Sequence, residues 1–441
     1  MPKRRMIPLG AVILLAAAAA GFGALTTLDQ AVARALAKDR GLMSQVLNEQ
    51  ASRANRDYTA KQRLFHLDLS GYYRYATDAV RVTAANFPFT SLLNIPQDQV
   101  FLQASKHAFD LKLGLVQPIW TGGALTNALR AEEARQSAEA DQTQLLRIQV
   151  AGQVKTSYFT YRLLAAKKRS LETLLQNLKF HLSRVESFFR EELARKTDLL
   201  ETQAKVEETG MAIEDLSQMI AKEKINFETL CDIPPDDIDP SASETVKDYP
   251  EAWAEFQSGH PLLKALDAQE SALSLAGKAV AGSRLPQVAG FGEFHFGRPG
   301  LNYFDPTWKP YALAGLSVSV PIFNLNKIDR DRAVLEVDRR RLANQRAQVL
   351  LDAERSLKQL YESRRSLGAR SGSVDRLVEM AQENAGLKEK LYEESQLSNL
   401  DYLSALTDLE KYRSLKEELS LQLELVKVAV NTLIGRTGEN K

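Results

Sequence analysis

Residues 110–123 read DLKLGLVQPIWTGG, and residues 312–326 read ALAGLSVSVPIFNLN. In both, apolar residues alternate with small or polar ones up to a proline, Pro118 or Pro321, and then the pattern changes. No proline follows Pro118 until Pro234, and none follows Pro321. Such alternation marks a strand with one oily and one wet face. Phe109, Leu111, Leu113 and Leu115 share one face, and Asp110, Lys112 and Gly114 the other. Leu316, Val318 and Val320 likewise oppose Ser317 and Ser319. The proline-free stretches point to long helices, since an internal proline costs a helix about 3 kcal/mol. Each proline is therefore read as a strand-to-helix junction.

Laying Pro118 on Pro321, an offset of 203, brings further residues into register. Ile119 meets Ile322, Trp120 meets Phe323, Tyr158 meets Tyr361, Phe189 meets Tyr392, Asp198 meets Asp401 and Leu230 meets Leu433. A fixed offset over so long a stretch marks a tandem duplication. Each half is expected to open with a helix (28–60; 262–282), followed by two strands (67–75 and 109–116; 287–297 and 311–320). A long helix (123–190; 324–391) and a return helix (197–232; 398–434) then follow. Leu335, Leu342 and Val349 are spaced by seven, as are Leu360, Leu367 and Val374, the step of helices packed as coiled coils. At 1.5 Å per residue the first long helix spans about 100 Å, its return about 54 Å and the opening helix about 50 Å. The last two, end to end, match the first; the second opening helix is read as shorter.

The helices break at REELARKTDLLE (190–201) and YEESQLSNLDYL (392–403). Ser398 with Asp401, and Asp198 with Glu201, read as capping boxes that restart a helix after a turn. The alternative is one helix running through each polar patch. Residues 231–253 carry four prolines and join the halves, beside the midpoint of the helical rod. The expected domains are a signal peptide (1–25), a first repeat (26–232), an equatorial linker (233–258), a second repeat (259–436) and a tail (437–441).

Lys plus Arg, at 57, nearly cancel Asp plus Glu, at 56, which argues against a nucleic-acid partner. The single cysteine, Cys231, excludes an intramolecular disulfide and a cysteine-rich metal site. Lys3, Arg4 and Arg5 precede an apolar run with small residues near Ala20 and Ala24, the plan of a cleaved secretory signal. An uncleaved anchor is the alternative. No later stretch has 18 apolar residues in a row.

Four strands with one oily face cannot close a barrel, since about eight are the fewest that do. Left open they expose edges and an apolar face, so pooling strands from several copies is the simplest escape. If the oily face meets lipid, the product is an outer-membrane barrel lined outside by Phe109, Leu111, Leu113, Leu115, Leu316 and Val318. The expected fold class is mostly α with β. Long antiparallel coiled-coil helices form an α-barrel, and a transmembrane β-barrel is assembled from four strands per protomer, in two tandem repeats.

With this plan in view, the chain resembles the outer-membrane efflux protein family, the TolC-like channels of tripartite export systems. The resemblance rests on L-x-x-A-x-x-x-A-L at Leu28–Leu36, on Pro118 and Pro321 with Trp120 and Phe323, and on SNLDYLSALTDLEKYR at 398–413. It implies a homotrimer with a 12-stranded barrel in outer-membrane lipid and a periplasmic α-helical barrel, in a Gram-negative bacterium. It also implies a passive exit duct that docks on a periplasmic adaptor and an inner-membrane pump of RND or ABC type. The turns at 191–197 and 394–400 would form the periplasmic tip. Lys196, Thr197, Asp198, Ser398, Asn399 and Asp401 would there contact the adaptor or frame the aperture. Departures from the family pattern are Arg40-Gly41 and His260-Pro261 where Asn-Pro is usual, and tips bearing Glu192-Leu193 and Ser395-Gln396 without the usual glycine.

No nucleotide, zinc-protease or serine-hydrolase motif occurs, and no catalytic residue, cofactor or metal is implied. His66, His107, His181, His260 and His295 are scattered. His295, on a wet strand face, is expected to be a solvated barrel residue with no second ligand spaced near it. Asp198 and Asp401 are expected to cap helices, with acidic rings at the tip as the sharper alternative. A periplasmic coiled-coil tether without a channel is the competing function; it leaves the one-sided strands unexplained.

Overall fold

A computed structural model describes residues 26–322, 325–394 and 396–437. The expected signal peptide, Phe323, Ser395 and the last four residues of the tail lie outside the described residues. The chain is mostly helical with one main sheet. It divides into two compact units, one taking in the chain up to Met43, Gln144–His260 and everything from Leu351, the other Ser44–Thr143 and Pro261–Leu350.

Its elements are the helices α1 (Leu28–Lys38) and α2 (Arg40–Lys61), then strands β1 (His66–Tyr75), β2 (Arg81–Thr83), β3 (Val100–Gln103) and β4 (His107–Trp120). Helices α3 (Ala124–Arg190), α4 (Lys196–Cys231), α5 (Tyr249–Gly259) and α6 (Pro261–Gly282) follow. Strands β5 (Gln287–Arg298) and β6 (Lys309–Ser319) and helices α7 (Leu325–Glu393) and α8 (Asn399–Ile434) complete the chain.

The opening helix of the first half is two helices. The carboxylate of Asp39 accepts the Leu42 amide at 2.6 Å, so it ends α1 and caps α2, as Asn, Asp and Ser do at helix starts. The second half repeats this break at His260. Its first helix, α5, lies almost wholly in the stretch read as a linker, where Pro250 looked like a breaker. Pro250 sits instead in the first turn of α5, where a missing N–H is no loss. The opening pairs are thus 11 and 22 residues in both halves, and the second is not shorter.

Element boundaries now show two offsets. Leu28 to Tyr249, Arg40 to Pro261 and His66 to Gln287 are each 221 apart, whereas Lys196 to Asn399 and Cys231 to Ile434 are 203 apart. The 18-residue difference falls between β1 and β4, whose connection (76–106) folds into the extra hairpin β2–β3; the β5–β6 connection is only 299–308. Alignment from Pro118 onward could not reveal it.

In the sheet unit the strand order is β1-β4-β5-β6, all antiparallel, leaving β1 and β6 as open edges. Pro118 is not a strand end: β4 continues to Trp120, with a register shift where the proline supplies no ladder N–H. Nor does β6 reach its proline, stopping at Ser319. After β4 the chain turns into α3 through Gly122 and Gly123, both left-handed at φ 61° and 81°. In the other unit, Leu28, Ala31, Val32 and Ala35 of α1 join Val150, Val154 and Tyr158 of α3 and Phe227 and Cys231 of α4 in the largest core. Thr26 bridges to Ile238 and holds the connector after α4 against the chain's first described residue.

Candidate functional site

In the helical unit, both breaks are turns, and the continuous-helix alternative is excluded. Past α3, Glu192 is left-handed at φ 58°, and the amides of Leu193 and Ala194 both donate to the Phe188 carbonyl. The N-cap of α4 is Arg195, whose amide donates to the Asp198 carboxylate at 3.0 Å. Asp198 is therefore the last residue of the box, the third of the helix, rather than its first, and Glu201 is not part of it. In the second turn the reading stands: Ser398 is the N-cap, and its hydroxyl accepts the Asp401 amide at 3.2 Å.

Of the six tip residues, Lys196, Thr197, Ser398 and Asp401 are exposed and Asp198 is half-buried. Asn399 is buried, and it joins the two turns. Its Nδ2 donates to the Asp198 carbonyl at 3.1 Å and to the Thr202 hydroxyl at 3.2 Å, while its Oδ1 lies 2.7 Å from His181 Nε2. Since Oδ1 can only accept, His181 carries its proton on Nε2. The imidazole is 1% exposed and meets the rings of Tyr392 and Tyr402 edge-on at 5.0 and 4.7 Å. Its Nδ1 has no partner among the described residues. Beside it Arg184 pairs with Glu393 at 2.8 Å. His181 had no signal in the sequence, because its partners come from two other helices, α7 and α8.

Burial lowers the His181 pKa below the ordinary histidine value. The sign follows directly: the folded turn is fully favoured above the unfolded histidine range near ~6.5, and that advantage is lost as pH falls toward the lower folded value. Acidification from pH ~7 to ~5 is thus expected to lower the hydrogen-exchange protection factors, corrected for the intrinsic pH dependence of exchange, in the first turns of α4 and α8. His181→Gln, which keeps a donor for Asn399, is expected to show no such acid response. Equal responses in both proteins would rule His181 out as the titrating group.

The sheet is inside out relative to a soluble one. On β4, Asp110 is 8% exposed while its neighbour Leu111 is 48% exposed. Phe109, Leu113 and Leu115 on β4, and Leu316 and Val318 on β6, are exposed as well. On the opposite face, Lys112 Nζ donates to Glu293 at 2.9 Å, and Glu293 lies 3.3 Å from His295 Nε2. His295 Nδ1 lies 2.8 Å from Asp110, and Tyr311 stacks on the imidazole with ring centroids 4.6 Å apart. His295 is thus not a solvated residue. Cross-strand register, Lys112 against His295 and Asp110 against Gly297, brings in carboxylates that linear spacing does not show. Among the described residues, no group of His, Cys, Asp and Glu is placed to hold a metal ion. No described helix is long and apolar enough to cross a membrane.

Comparison with known proteins agrees with this geometry. The family described as "Outer membrane efflux protein" matches residues 31–230. No curated relative matches the sequence. Among solved structures, the outer membrane protein VceC from Vibrio cholerae superimposes with a TM-score of 0.74 at 15% identity, over 93% of this chain and 96% of that one. The CmeC outer membrane channel of Campylobacter jejuni gives 0.71 at 13% identity, over 97% and 92%. The Neisseria gonorrhoeae MtrE outer membrane channel in its open state gives 0.72 at 13% identity, over 94% and 90%. These are channel folds rather than enzyme folds. The outer membrane efflux protein pattern thus runs through the first repeat, and the fold of these channels runs through both repeats.

Proposed function

We propose that the protein is the outer-membrane exit duct of a tripartite efflux or type I secretion system. Three copies close a 12-stranded barrel in the outer membrane of a Gram-negative bacterium, with most of the mass in the periplasm. Cargo passes without energy input from the protein, handed on by a periplasmic adaptor and an inner-membrane pump. The observation that carries the reading is the inverted sheet. Its leucines are exposed, Asp110 and His295 are packed, and its two edges have no partner strand among the described residues. In water that arrangement exposes oily surface and open edges at once. Closed among three copies in lipid, it leaves neither. A coiled-coil tether has no use for such a sheet. At the turns, exposed Lys196, Thr197, Ser398 and Asp401 supply the adaptor contact, with Asp198 and Asn399 holding them in place.

The test is to isolate the protein from bacterial membranes, measure its mass and add it to a planar bilayer. Outer-membrane trimers giving discrete conductance steps are expected; a monomeric periplasmic species without conductance overturns the duct. A charge on the lipid face supplies a second check. Leu113→Arg is expected to cost about 2–4 kcal/mol of barrel stability, as arginine does near a bilayer midplane, whereas Lys112→Arg on the opposite face costs little. Urea titration of trimers in detergent or lipid measures both, and equal stability would place Leu113 away from lipid.

A further inference from the structure

The extra hairpin between β1 and β4 has no counterpart in the second half and no part in closing the barrel. The β1–β4 ladder ends at Tyr75 opposite His107, yet the two chains stay paired beyond it. Ala76 donates to the Lys106 carbonyl at 2.9 Å and Ala104 to the Val80 carbonyl at 2.8 Å, after which β2 pairs with β3. The neighbouring β5 ends at Arg298, level with Phe109. The first hairpin therefore projects past the second as an arm.

Its end is built rather than slack. Two 3₁₀ turns, Ala84–Asn86 and Pro88–Thr90, are tied by the buried Thr90 hydroxyl, 2.6 Å from both the Ala84 and the Phe87 carbonyl oxygens. Phe87 packs against Phe89 and Phe101 with centroids 5.7 and 6.1 Å away. Around this knot the surface is oily: Phe89 is 57% exposed, Leu92 85% and Leu93 66%. Residues 82–97 contain no charged side chain. An ordered apolar end of this kind requires a cover.

Lipid is a poor cover. Between the aromatic cluster of Tyr73, Phe109 and Trp308 on the apolar face and the arm's end stand Asp78 with Arg81, paired at 3.5 Å, and Lys106, bonded to the Thr77 carbonyl. Bending the end back into the bilayer would drag these charges with it. A second copy of the chain suits better. The chain bends at Thr77 and Asp78, so residues 76–83 advance only as far as residues 106–100 opposite them, at most about 20 Å at 3.3 Å per residue. A 12-stranded barrel, with strands about 4.8 Å apart and tilted about 40°, has a radius near ~12 Å. Arms from three copies are long enough to meet on the axis.

We propose that Phe89, Leu92 and Leu93 of three copies pack together over the outward mouth of the duct and close it. The inference rests on the trimeric duct above. In purified trimers, Leu93→Cys is expected to give disulfide-linked copies on mild oxidation, the native Cys231 being buried. Exchanging Phe89, Leu92 and Leu93 together for Ser is expected to leave the trimer intact and raise its single-channel conductance about twofold or more, as loss of an apolar constriction does. Conducting trimers with unlinked arms and unchanged conductance overturn the lid alone. In that case quenching of Leu92→Trp fluorescence by brominated lipid would show the arm lying on the bilayer. Absence of a trimer in the unmodified protein overturns the lid and the duct together.

Discussion

Glu244→Ala is expected to destabilise the helical unit by about 3–5 kcal/mol, the cost of breaking a buried ion pair from one side. Glu244 lies in the connector between α4 and α5, and it accepts from Lys155 of α3 at 2.6 Å and from Asn431 of α8 at 2.8 Å. The side chains of Lys155 and Glu244 are 5% and 9% exposed. Removing the carboxylate strands an ammonium group with almost no water and leaves Asn431, whose Oδ1 has no partner among the described residues, with only the Thr245 carbonyl. The double variant Lys155→Met with Glu244→Leu is expected to recover most of the loss, because it removes both charges and fills the space. Denaturant unfolding of all three proteins, followed by helical circular dichroism, measures the effect. A single variant as stable as the parent would mean that the pair is hydrated and that the connector contributes little.

Gly122→Val is expected to abolish assembled protein. Gly122 is left-handed, and a Cβ there would sit 2.4 Å from the Gly282 carbonyl oxygen and 2.7 Å from Leu285 Cβ. Gly282 is the reciprocal case, since its Cβ would lie 2.6 Å from the Gly122 oxygen and 2.9 Å from the Ala124 nitrogen. Two backbones touch here, the β4–α3 junction and the last residue of α6, and neither has room for a side chain. Overlap with rigid backbone adds to the ~1–2 kcal/mol of a left-handed L residue, so the junction has to open. Gly123→Asn is the control. Its φ is also positive, but the nearest atom to its Cβ is 3.4 Å away, and Asn tolerates that backbone best among non-glycine residues. The yield of heat-resistant oligomer in the outer-membrane fraction is expected to be near zero for the first variant and close to normal for the second. Normal yield for Gly122→Val would show that the junction is looser than its geometry.

Much of this was legible along the chain. Period-two alternation at 109–116 depends only on neighbours, and it located β4 and its oily face. The lack of proline after residues 118 and 321 bounded α3 and α7, and Ser398 declared the start of α8 by its chemistry. What stayed hidden depends on distant partners. Arg195 gives no sign of being an N-cap, because the cap bond comes from Asp198 three residues on. Pro250 favours a linker by composition and a helix start by position, and only the fold decides between them. Asn399 looked like a surface contact until His181, 218 residues away, took up its oxygen. The same holds for His295, which acquires Asp110 through the β4–β5 register.

The repeated lengths carry one more consequence. Between α1 and α8 the two halves count out matching helices, and nearly the whole discrepancy is collected at one hairpin end. Helical elements cannot absorb a change in count, because losing one residue from α3 would rotate every later side chain by about 100° against its neighbours. The stretch 84–99 has no such obligation. It is where the chain can change length without disturbing the rest of its plan, as the short β5–β6 connection at 299–308 already shows.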